Sequence, residues 1–526
     1  MTRTPQEIER SLLDMSRAAL DPRGVVDGVR DLHAEMEQVQ GGWSASSRAA
    51  ALLNMSSVMI NGATDAHDAT ALAEGEGWAR EAAESDVLRD ELRPMADYNI
   101  ANAILADIEM RAAPPRTSEH PLAPGRYTAS SRLDHAGRLT DARVLFSRAG
   151  YSPIASPDQR GRALCNLANT LDASGRWIEA YDSYVDALAA DPTNGNAAGN
   201  AAICLQWAAR VGLGMSGHLM AVSDKYVAIA QANRERTVEL AGEATARRWD
   251  QLRPSDSAGH VAHLGDPSDP YQSWVARHRL ALAATVEGLG SDAPRWDRAA
   301  VRTVTTPLSR ATPPSIFAMM NVIKADYLTA RRLAFTGDRK LTEYPTGQHP
   351  DDTGAYTDTL NGDLYGEPAA SLVLAARATL DVLDKIAVAA NDHFNGGENP
   401  SRVDFRTFWC IGMKARPQLV PSSGPGFTAL ALAELAIDTR EKGLYEDLQQ
   451  LRNAGTHRMI RVTNGVATGI DKTALSSIDA STLIRDTRLA LRVTRAAYLY
   501  LVGLVHEHER PRANESRTPI VLDDQT

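Results

Sequence analysis

The sequence predicts an all-α protein, and three observations carry that prediction. Apolar residues recur every three or four positions through most of the chain, alanine, leucine and arginine are abundant, and paired helical segments repeat in the N-terminal half. At 526 residues the chain is longer than one hydrophobic core supports, so several packing units are expected. Hydrophobic residues make up 43%, charged residues 23% and aromatic residues 6%, a balance that suits a globular helical protein. A net charge of −10 excludes a surface that is basic throughout, so any nucleic-acid contact has to rest on a local patch. Cys165, Cys204 and Cys410 are far apart and odd in number, which fits neither a disulfide framework nor a zinc cluster. With no apolar signal segment and no uninterrupted apolar span, a reducing cytoplasm is the expected location.

The repeats are clearest in ALCNLANTLDASGRWIEAYDSYVDALAADPTNGNAAGNAA, which starts at Ala163. Gly175 ends a first helix, Ala180, Tyr184 and Ala187 form the seam of a second, and Pro192 closes it. Small residues allow two helices to approach closely, while Tyr181 and Tyr184 fill the gap between neighbouring pairs. This segment resembles a tetratricopeptide repeat. The preceding SRLDHAGRLTDARVLFSRAG repeats the glycine at Gly137, the small residue at Ala142 and the aromatic at Phe146. Helices around Asn54 and Asn99 resemble the one around Asn166, extending degenerate repeats towards the N-terminus. Asn166 and Asn169 lie one turn apart on the inner helix of the best repeat. Resemblance to tetratricopeptide proteins implies that they hold a peptide from a protein partner; packing of small polar groups between helices is the other reading.

From these patterns, residues 1–110 form a helical region of degenerate repeats and 128–250 hold further repeats and capping helices. Within the latter, 205–250 read as long amphipathic helix, and the proline-rich 111–127 reads as a loop. Residues 251–310 form a connector, 311–508 a second helical domain and 509–526 a flexible tail. Inside the second domain, helices are expected over 368–394, 427–457 and 479–507, and 343–366 are turn-rich.

The strongest chemical signal is DLQQLRNAGTHRMIRV, where Arg452 and Asn453 are followed after three residues by His457. Asn453 and His457 share a helical face, and Arg452 is long enough to reach the same anion. Gly455 weakens the helix between them by about 1 kcal/mol relative to alanine, which points to a bend or a close backbone approach. This pattern of arginine, polar residue and spaced histidine resembles the HEPN nucleases, and the resemblance extends over roughly 310–508. NGDLYGEPAASLVLAARATLDVLDKIAVAANDHF resembles the first long helix of the branch that follows tetratricopeptide repeats in bacteria, with Asp384 and Lys385 in its LDKIA segment.

The resemblance implies an endoribonuclease that needs no metal and no cofactor, because RNA supplies its own nucleophile in the 2′-hydroxyl. His457 is then the proton carrier, since an imidazole titrates near neutrality. Arg452 stabilises the negative charge that develops on phosphorus. Asn453 either donates to a phosphate oxygen or fixes the histidine tautomer. Family likeness also implies a homodimer or higher oligomer through this domain and a toxin-like or anti-phage role. A non-catalytic adaptor that binds nucleotide or protein partners is the alternative.

Between Arg452 and Arg495 there are eight basic residues and three acidic ones. Arg458, Arg461, Arg485, Arg488, Arg492 and Arg495 are the candidate RNA contacts, the last four falling in one stripe of the final helix; a solvated face is the bland alternative. Asp381, Asp384 and Lys385 either join the site or form an ion pair beneath it. His260, His263 and the HEHER segment lack metal-ligand spacing, and no phosphate-binding or dinucleotide-binding glycine motif is present.

Overall fold

The computed structural model describes residues 4–17, 21–38, 43–111, 132–255, 257–260, 269–290, 296–306, 313–345, 349–360, 362–412, 414–420, 426–457, 459–465, 474–512 and 518–521. The expected loop at 111–127 lies, but for Arg111, outside the described residues. Among the described residues the protein is mostly α-helical, with N-terminal helical repeats, and no helix is long and apolar enough to cross a membrane.

The chain divides into two compact units, and the division does not follow the sequence order. Unit 1 takes residues 1–171, 183–200 and 229–251; unit 2 takes 172–182, 201–228 and 252–526. Part of the expected repeat region therefore belongs to the C-terminal unit.

Unit 1 begins with α1 (Pro5–Arg17), α2 (Pro22–Gln38), α3 (Ala45–Ala66), α4 (Ala69–Glu84) and α5 (Arg93–Arg111). Side chains start two of these helices: the Ser44 hydroxyl accepts from the Ser47 N–H, and Asp68 accepts from Thr70 and Ala71. Leu53, Met55, Met59, Ile60 and Leu72 are buried in the core these helices enclose. The α6 helix (Ala136–Gly150) packs on α5, and α7 (Pro157–Asp172) opens on a reciprocal cap between Ser156 and Gln159. Three further helices pass from one unit to the other along the chain: α8 (Trp177–Ala190), α9 (Gly195–Arg210) and α10 (Ser216–Ala232). The α11 helix (Arg234–Asp250) returns to unit 1. The long helix expected over 205–250 is thus three helices. Gly212, at φ +77°, ends the first, Asn233 separates the next two, and Gly242 (φ 80°, ψ 165°) interrupts the last.

Unit 2 starts with the turn ahead of α8. Gly175 has φ +73°, and a β-carbon there would meet the Phe427 carbonyl oxygen at 2.6 Å, so glycine is required both by the backbone conformation and by the approach. Arg176 is fully buried beside it and pairs with Glu179 at 2.6 Å and Asp438 at 2.5 Å. Burial opposes its charge, but these two carboxylates outweigh that and raise its pKa well above the usual range.

The connector contains α12 (Pro270–Arg277), capped by Asp269, and β1 (Thr303–Thr306). Two long helices follow, α13 (Ser315–Glu343) and α14 (Glu367–His393), with the short β2 (Asp363–Leu364) between them. Next come α15 (Phe405–Phe408), the hairpin of β3 (Cys410–Ile411) and β4 (Lys414–Ala415), then α16 (Phe427–Asp438) and α17 (Glu446–His457). The single helix expected over 427–457 is broken at 439–445, where Lys442 takes φ +62°. Two strands, β5 (Met459–Thr463) and β6 (Leu475–Asp479), pair in parallel, and β2 joins β5 antiparallel. The α18 helix (Ala480–Arg512) completes a bundle with α13 and α14 and buries Leu499, Tyr500, Leu501 and Val502 completely. Part of the segment expected as a flexible tail is helix and strand. The α18 helix continues to Arg512, and β7 (Thr518–Val521) pairs antiparallel with β1, because the edge of β1 satisfies its backbone groups.

Candidate active site

The candidate site is built on α17. Glu446 and Asp447 in its first turn suit the positive end of the helix dipole, and the Glu446 carboxylate accepts from the Lys442 backbone N–H at 2.8 Å. Leu448 and Leu451, three residues apart, are each 1% exposed and fasten one face to the core. Tyr445, just before the helix, is also buried and donates to Glu179 at 2.6 Å. These anchors leave Arg452 at the edge of the core, its side chain 24% exposed. Asn453 and His457 belong to the same helix, but their side chains lie outside the described residues, as does Arg458 altogether.

Asp381 and Asp384, one turn apart on α14, meet Arg452. Its Nη2 lies 2.5 Å from Asp384 Oδ2 and 3.8 Å from Asp381 Oδ1. The other oxygen of Asp384 accepts from the Phe405 backbone N–H at 2.8 Å, so one carboxylate ties α17 to the start of α15. Lys385 does not join them: it pairs with Asp326 of α13 at 2.5 Å, on the surface. A shallow recess lies between these elements, floored by Leu380, Leu383 and Leu448 and flanked by Arg452 and Arg406. Arg406 was missed in the sequence, since it sits 46 positions before Arg452 with only an Asp404 cap to mark it.

The stripe expected along α18 is mostly turned inward. Arg495 is fully buried, donates to the carbonyls of Ala281, Ala283 and Ala284, and pairs with Asp182 at 2.9 Å. It is therefore removed from the RNA-facing set, because a helical spacing identifies a shared face and this face meets the core. Burial pushes the Asp182 carboxyl up, and the guanidinium groups of Arg495, Arg279 and Arg492 override that and hold it below its usual value. Arg492 lies 3.7 Å from the same carboxylate, and Arg488 pairs with Asp338 at 2.5 Å. Arg485 is 67% exposed, although it meets Asp486 at 2.9 Å. Arg461 donates to Ser477 at 2.7 Å and faces Asp363 at 3.6 Å across the small sheet.

Residues 308–508 match the family model described as LA2681-like HEPN. The HEPN match covers less than half of the chain, and runs from just ahead of α13 to near the end of α18. It includes Arg452 and both carboxylates that meet it. No curated protein and no solved structure matches the chain.

In unit 1, Asn166 and Asn169 form part of a polar ladder. Asn166 donates to Asn102 at 2.9 Å and to the Tyr98 hydroxyl at 3.3 Å. Asn169 donates to Asn166 at 3.4 Å and accepts from Tyr184 at 2.7 Å and Asn200 at 3.1 Å. Both side chains are only partly buried. A cavity of about 270 Å³ opens nearby, lined by Ser57, Tyr98, Asn99, Gln159 and Arg162 among others. Among the described residues, no three His, Cys, Asp or Glu side chains are grouped to hold a metal ion, and His263 lies outside them. His506 and His508 contact the carbonyl oxygens of Val211 and Leu419, respectively.

Proposed function

We propose that the C-terminal unit is an endoribonuclease of the HEPN type that cleaves single-stranded RNA by attack of the 2′-hydroxyl. Arg452 holds the scissile phosphate and neutralises the charge that develops on it, His457 carries the proton, and Asn453 contacts the phosphate or orients the imidazole. The observation that carries this reading is Arg452 at the rim of a recess, presented by a helix that also contains Asn453 and His457, within the segment that matches the HEPN model. One further feature supports it: Asp384 of α14 holds the guanidinium by a charge-assisted hydrogen bond, with Asp381 beside it.

The unit acts as a homodimer or larger assembly, while the repeats of unit 1 dock a protein or peptide partner through the face bearing Asn166 and Asn169. Such an arrangement suits a toxin-like or anti-phage effector held in check until its partner signals. The test is incubation of the purified protein with single-stranded RNA in the presence of a chelator. Products ending in a 2′,3′-cyclic phosphate are expected, and they disappear with Arg452→Ala and His457→Ala. Undiminished cleavage by the His457→Ala protein refutes the assignment.

A second reading has one observation in its favour. Arg452 already faces two carboxylates, which weakens its attraction for another anion; of the non-catalytic adaptors that bind nucleotide or protein, this suits the one that binds protein. Intact RNA together with tight partner binding is the outcome that selects it.

A further inference from the structure

We infer that Arg406 forms a second phosphate subsite beside Arg452 and takes the phosphate neighbouring the scissile one on a single-stranded RNA. This rests on the nuclease reading above. The charge count at Arg452 creates the requirement: one guanidinium stands 2.5 Å from Asp384 and 3.8 Å from Asp381, so the local sum is one negative charge before any substrate arrives. A phosphodiester adds another, and like charges a few ångströms apart in partly shielded surroundings repel. A further cation has to face the strand.

The nearby candidates differ in how far they are engaged. Lys385 is held by Asp326, and Arg461 is turned to Ser477 and Asp363 on the sheet. Arg406 lines the same recess as Arg452; its Nε is shielded from water, makes no hydrogen bond and stands 3.8 Å from the Asp404 carboxylate. Of the side chain, 41% is exposed. The exposed part of the side chain is what an anion at the mouth of the recess can reach.

The backbone of Arg406 is also fixed. Its N–H donates to Asp404 at 3.0 Å, and its carbonyl oxygen accepts from Arg440 at 2.5 and 3.1 Å, which brings a second guanidinium close. Asp384 sets the spacing of the pair, because one oxygen binds Arg452 and the other binds the N–H of Phe405, immediately before Arg406. Two arginines flanking one recess suit consecutive phosphates of a flexible strand better than an isolated anion.

The probe is a fluorescent single-stranded RNA with 2′-O-methyl groups, which removes the nucleophile and leaves the phosphates unchanged. Its affinity is measured by polarisation across a salt series for the full chain and for Arg406→Gln and Arg406→Lys. Each phosphate contact on a single strand contributes about 0.7 to the slope of log affinity against log salt. Arg406→Gln is expected to flatten the slope by about that amount, so that it loses about 2.6-fold less affinity than wild type between about 50 and about 200 mM salt. Arg406→Lys retains the slope, which a purely structural role for the guanidinium would not predict. An unchanged slope in Arg406→Gln, with wild-type RNA cleaved at the normal rate, overturns the subsite and leaves the nuclease reading standing. Wild-type protein with no affinity for the probe at low salt overturns both.

Discussion

Asp384→Asn is the perturbation that bears most directly on how Arg452 is held. The asparagine keeps the shape and still accepts from the Phe405 N–H, but it presents no carboxylate to the Arg452 guanidinium. A hydrogen bond between charged partners contributes roughly 1.5–3 kcal/mol, and with the two side chains 24% and 23% exposed, solvent screening lowers this to about 1–2 kcal/mol. Thermal or urea unfolding is expected to show that loss. If the same energy aims Arg452 in the transition state, kcat falls by about 5- to 30-fold. The local charge moves from −1 to 0 when one of the two carboxylates goes, so repulsion of RNA declines and KM stays level or drops. The signature is therefore a lower kcat without a higher KM, measured by initial rates on a fluorogenic RNA. Lys385→Met is the control: its ion pair is exposed, and it is expected to change stability by less than about 0.5 kcal/mol and kinetics not at all. An Asp384→Asn protein with unchanged kcat and a raised KM would falsify the assignment of Asp384 as the group that positions Arg452.

Three other outcomes follow from the packing. Gly175→Ala places a methyl against the Phe427 carbonyl oxygen at a positive φ, and is expected to destabilise the protein by about 2–4 kcal/mol in denaturant titration. Arg495→Ala removes a guanidinium from a buried network around Asp182; a loss of about 3–5 kcal/mol is expected, with no change in the salt dependence of RNA affinity, whereas a flattened slope would restore it to the RNA-binding set. Burial, aided by the positive charge of Arg488, pushes the His278 imidazole down from 6.5 to about 4. Its folded state stays neutral while the unfolded chain takes up a proton, so this contribution is present above pH 6.5 and lost as pH falls from 6.5 towards about 4. An NMR titration of the ring that gives a midpoint near 6.5 would contradict the buried environment.

Much of the helical architecture is legible in one dimension, because a helix writes its buried face into the sequence every three or four residues. The 368–394 pattern corresponds to α14, and the repeat around Gly175 to α7 and α8. Local chemistry reaches a little further: the RNAGTH string places Arg452, Asn453 and His457 on one short helix without reference to anything distant. The breaks at 211–215 and 439–445 fall where a positive φ at Gly212 and Lys442 turns the chain, the second within the polar run 438–443.

What only the tertiary structure decided is which faces meet. Spacing put Arg485, Arg488, Arg492 and Arg495 in line, yet the carbonyls and carboxylates that bind the last three come from residues more than a hundred positions away. Asp384 and Arg452 are separated by 68 positions, and Arg406 enters their recess from a four-residue helix with no periodicity to announce it. The strand at 518–521 depends in the same way on an edge that β1 offers from far upstream. Periodicity records whether a residue prefers to be covered; the partner that covers it is set by closure of the chain over long separations, where no local rule operates.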